Sequence, residues 1–91
     1  METQSHPRID FKGFVLSLAS SALVHLGDAP DPVSGETQVQ DLALAQQSVD
    51  LLELLQEKTR GNLTDEERSF LESLLYELRL RYLDAERSKA R

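Results

Sequence analysis

The 91 residues carry 16 Asp/Glu against 10 Lys/Arg, a formal net charge of −6, and no cysteine. A chain this short forms one domain and buries only about 60–65% of its unfolded surface, so its core is small. The acidic balance disfavours a phosphate backbone and so argues against a nucleic-acid partner. The absence of cysteine excludes disulfides, thiolate chemistry and cysteine metal sites.

Residues 1–9 are polar, contain His6-Pro7 and read as a flexible arm. The next stretch, Phe11–Leu26, has no fixed charge between Lys12 and Asp28 in a chain that is otherwise 29% charged. Asp10 as N-cap and Gly27 as C′ residue bound a first helix to residues 10–26. At 100° per residue its apolar side chains span roughly 200°, about twice the stripe of an ordinary surface helix, with Leu18 at the centre. The remaining strip holds Gly13, Ser17, Ser20, Ser21 and Val24, small enough for another backbone to come close. No signal peptide is expected from the flanking residues, and the apolar run is too short to span a bilayer. The expected compartment is cytoplasmic.

Residues 27–40 form a connection with Pro30, Pro32 and Gly35. Asp31-Pro32-Val33-Ser34 suits a turn with proline at its second position, and Gly35 suits a positive φ. Its acids lack calcium-loop spacing. A second helix is predicted at 41–60, with Asp41 as N-cap and Gly61 closing it; Leu54 sits apart from its main apolar face. Thr64-Asp65-Glu66-Glu67 is a capping box and opens a third helix at 65–86. The short connection makes helices 2 and 3 an antiparallel hairpin. On helix 3, Tyr76, Leu80 and Leu83 form a patch almost opposite the main face, and Glu77 and Arg81 are spaced for an i,i+4 pair. Beyond Ala85 the sequence turns polar and reads as fraying into a basic flexible tail at 87–91. Residues 79–91 hold five Lys/Arg against two acids, whereas residues 1–78 hold five against fourteen.

Chemistry finds little support. Ser21 and His25 lie one turn apart, but there is no nucleophile elbow and no carboxylate placed by spacing to orient the imidazole. His25, Asp28 and Asp31 offer no convincing ligand set for a metal, and no cofactor motif is present. The reading is a non-enzymatic, all-α domain at 10–86, with helix 1 packed across the hairpin and completed by a second chain. The candidate interface is Gly13, Leu16, Ser17, Ser20, Leu23 and Val24 of helix 1 with Tyr76, Leu80 and Leu83 of helix 3. The expected partner is the protein itself, as a homodimer or higher oligomer. An adaptor that captures a helix of another protein is the alternative. Membrane attachment through helix 1 is a weaker alternative, because its polar strip lacks Lys/Arg.

The segments Phe11-x-x-Phe14-Val15-x-Ser17-Leu18-Ala19-x-x-Ala22-Leu23, Leu26-Gly27, Pro30-Asp31-Pro32-x-Ser34-Gly35, Lys58-Thr59-x-Gly61-Asn62-Leu63 and Leu74-Leu75-x-x-Leu78-Arg79 together resemble short bacterial helical proteins of the domain of unknown function family 1844. Ser34 stands where threonine is expected. The resemblance implies a bacterial, stand-alone helical protein and supplies no catalytic or binding residues.

Overall fold

The computed structural model describes residues 8–37 and 39–90. Residues 1–7 of the predicted arm at 1–9, Gln38 and Arg91 of the predicted basic tail lie outside the described residues. Three helices follow in order: α1 Phe11–Leu26, α2 Leu42–Lys58 and α3 Asp65–Ala90. Each starts or stops where side-chain chemistry satisfies its free backbone groups. The Asp10 carboxylate accepts from the Gly13 amide at 2.8 Å, and the Asp41 carboxylate accepts from Leu44 at 3.1 Å. Thr64 and Glu67 close the capping box reciprocally. The Thr64 amide donates to Glu67 Oε1 at 2.9 Å, and the Glu67 amide donates to Thr64 Oγ1 at 3.1 Å. Gly27, at φ 82°, ends α1, with its amide on the Val24 carbonyl and the Asp28 amide on the Leu23 carbonyl.

The connection from α1 to α2 is built rather than slack. Asp31 Oδ1 accepts from the amides of Val33 and Ser34, Gly35 has φ 76°, and Pro30 and Thr37 form an isolated antiparallel bridge. The Asp41 amide donates to the His25 carbonyl at 2.8 Å, and the Gln40 side chain donates to the Leu26 carbonyl at 3.0 Å. These bonds tie the start of α2 to the end of α1, so the two helices run antiparallel. Contacts at both ends of α1 show that it runs parallel to α3: Lys12 lies 3.7 Å from Glu66 and over the Phe70 ring, and Asp28 meets Arg81 at 3.1 Å. α2 and α3 form the expected antiparallel hairpin, linked near its middle by Arg79 on Glu53 at 2.7 Å.

The core joins Val15, Ala19 and Ala22 of α1, Val49 and Leu52 of α2, and Leu71, Leu75 and Leu78 of α3. Leu18 is only half-buried, so the inward centre of α1 is rotated from the expected position to the Val15–Ala19–Ala22 line. An arc that broad lets hydrophobicity choose any part of it. The alanines decide, because they admit the neighbouring helices most closely. α2 ends two residues before the predicted boundary, where the Thr59 hydroxyl takes the Leu55 carbonyl at 2.7 Å. α3 continues four residues past its predicted end. In that extra turn Arg87 and Lys89 lose little side-chain freedom in a helix and complement the dipole.

Candidate interaction surfaces

Three surfaces remain once the helices have packed. The first is the small-residue strip of α1. At Gly13 a Cβ would meet Asp10 Oδ1 at 3.0 Å, so the cap carboxylate occupies the place a side chain would take. Its small size serves the N-cap. Val24 is buried, because Asp31, Pro32 and Val33 of the connection come alongside this end of the strip. Leu23 is half-buried against the core. Gly13 and Leu23 thus keep part of their surface exposed, while Val24 is covered by the chain itself. Ser17 and Ser20 stay exposed, with the Ser17 hydroxyl donating to the Phe14 carbonyl, and Leu16 stays 51% exposed.

Ser21, His25 and Asp31 line one open groove beside this strip, a proximity the sequence spacing did not reveal. The Asp31 carboxylate holds its own turn, and no hydrogen bond among the described residues joins the three side chains. Oriented nucleophilic chemistry needs such bonds.

The second surface is the outer face of α3. Tyr76 is 65% exposed, and Leu80 and Leu83 are about half exposed, at 46% and 47%. They fall on one line along the helix, on the side away from Leu71, Leu75 and Leu78. Arg79 flanks this line and reaches α2 through Glu53. On the opposite flank, Arg81 bonds Glu77 at 2.9 Å and Asp28 at 3.1 Å. Donating to the Asp28 carboxylate and then to Glu77 pushes the Arg81 guanidinium further toward its charged form.

The third surface has no counterpart in the sequence reading. Phe14 and Leu18 of α1 with Leu51, Leu54, Leu55 and Lys58 of α2 line a shallow groove of about 260 Å³. Leu51 and Leu54 are each half exposed. The isolated position of Leu54 on the α2 wheel was the available signal. Leu51 gave none, because it lies at the edge of the same half-wheel as the core leucines.

The family model described as a domain of unknown function, DUF1844, matches residues 8–84. The chain belongs to this family. The match runs from the residues ahead of the α1 cap into α3, so it covers α1, α2 and most of α3. No curated protein and no solved structure matches the chain. Among the described residues no helix is long and apolar enough to cross a membrane.

Proposed function

We propose that this DUF1844 protein is a non-enzymatic helical interaction module whose first partner is a second copy of itself. One observation carries the reading. With α1, α2 and α3 packed on one another, Tyr76, Leu80 and Leu83, spaced along one line of α3, still keep about half or more of their surface exposed. Contiguous apolar surface on a small soluble domain marks a contact site, and a two-fold arrangement uses such a patch twice. The open grooves, and the lack of bonds linking Ser21, His25 and Asp31, favour an adhesive role over a catalytic one. Sedimentation equilibrium from low to high micromolar concentration tests this. A concentration-dependent rise in mass is expected, and a constant monomer mass at high micromolar refutes it.

A second reading has its own support. The α1/α2 groove is apolar at its floor, and α2 carries Asp50 and Glu57 against Lys58. That combination suits the apolar face of a foreign helix with basic flanks better than it suits another acidic copy. Loss of binding to such a helix in Leu51→Asp, with self-association retained, would assign the groove to this use.

A further inference from the structure

We infer that two copies meet through the outer faces of α3, antiparallel, with Leu80 against Leu83 of the second copy and Tyr76 against Arg87 of the second copy. This rests on the self-association reading above and specifies its geometry. Ser69, Ser73, Tyr76, Leu80, Leu83 and Arg87 recur at alternating spacings of four and three and are all exposed, the pattern of a coiled-coil seam. The seam is polar at its ends and apolar at its centre. Antiparallel pairing about the point between Leu80 and Leu83 superposes the apolar centres and brings each Tyr76 ring to the other copy's Arg87. A guanidinium on an aromatic face is a favourable contact.

Charge selects this face and this direction. The chain carries −6 overall, so two copies repel at most approaches. The segment 76–87 is neutral, with Arg79, Arg81 and Arg87 against Glu77, Asp84 and Glu86. The antiparallel register sets Arg79, which already bonds Glu53 at 2.7 Å, beside Glu86 of the second copy, twice over. Glu77 approaches Asp84 of the second copy, but Arg81 already holds Glu77 at 2.9 Å. A parallel pair would instead stack Arg87 on Arg87. At the α1/α2 groove, antiparallel copies would bring Asp50 toward Glu57, and Lys58 is the cation in the groove lining. The last turn of α3 also fits this role, because residues 86–89 are exposed on every side yet helical.

The chain has no native cysteine, so the geometry can be read by cross-linking. Tyr76→Cys and Arg87→Cys are prepared separately, each checked for an unchanged helix signal, and treated with a short bis-maleimide alone and as an equal mixture. In the antiparallel pair, like positions lie about 16 Å apart along the helix, at 1.5 Å per residue, while Tyr76 and Arg87 sites adjoin. A covalent dimer is expected in the mixture and not in either variant alone. Cross-linking within each variant alone overturns the antiparallel register. Oligomers seen by sedimentation with no cross-link in any tube overturn the α3 seam while leaving self-association standing. A constant monomer mass overturns both. Independently, Leu80→Lys is expected to weaken association about tenfold or more, as a charge at the centre of a small interface does, with the monomer still folded. Unchanged association in that variant overturns the seam.

Discussion

Leu51 and Leu52 are adjacent leucines on α2 with opposite predicted consequences. Leu52 is fully buried, in a cluster to which α1 contributes Val15, Ala19 and Ala22 and α3 contributes Leu71, Leu75 and Leu78. Truncation to alanine removes the buried methyl groups and leaves a cavity, at about 2–5 kcal/mol. Two of the neighbours are alanines, which have no side chain to swing into the space. The loss should therefore stay clear of the lower end of that range, at about 3–4 kcal/mol. A 91-residue domain is stabilised by roughly 5–14 kcal/mol in all. At about 4–8 °C per kcal/mol, the melting temperature should fall by about 12–30 °C. Leu51 is half exposed, so Leu51→Ala should cost about 1 kcal/mol or less. Thermal and urea unfolding followed by circular dichroism, at low micromolar concentration, measures both. Equal losses for the two variants would refute this packing of α2.

Thr64→Ala removes one half of the capping box and should cost about 1 kcal/mol in urea unfolding, with the helix content of the native state unchanged. Gly27→Ala places a side chain at φ 82° and should cost about 1 kcal/mol or more, measured the same way; a neutral result would contradict the left-handed turn at the end of α1. Arg81→Ala should cost less than about 1 kcal/mol, because the side chain is 43% exposed and solvent screens its pairs, and the cost should shrink in high salt. Because the folded state raises the Arg81 pKa, the stability from that shift is complete below the unfolded value. It is lost only at far alkaline pH, so Arg81→Ala should cost no more at pH 9 than at pH 8.

The helices were legible in the sequence because their boundaries rest on local chemistry. Asp10, Gly27, Asp41 and the Thr64–Glu67 pair act within a few residues, and spacing reveals them directly. Helix rotation was less legible. Leu18 and Val15 have similar hydrophobicity, and only contact with α2 and α3 determines which faces inward. The strip of α1 shows the same limit. A small residue reads as room for a neighbour, but at Gly13 the neighbour is the cap carboxylate, and at Val24 it is the chain's own connecting segment. The α1/α2 groove depends on how far apart two helices sit, and no pattern within one helix reports that distance. Tyr76, Leu80 and Leu83 were visible because they lie opposite the core line of the same helix.

The caps have a consequence for the order of events. Since the ends of the helices are fixed by groups two or three residues away, a single polypeptide can set their lengths before it meets anything else. The fold is also built from neighbouring antiparallel helices, which close quickly. Under the self-association proposed above, assembly would come after folding and respond to abundance: at low copy number the units would stay apart and intact, and rising expression alone would bring them together.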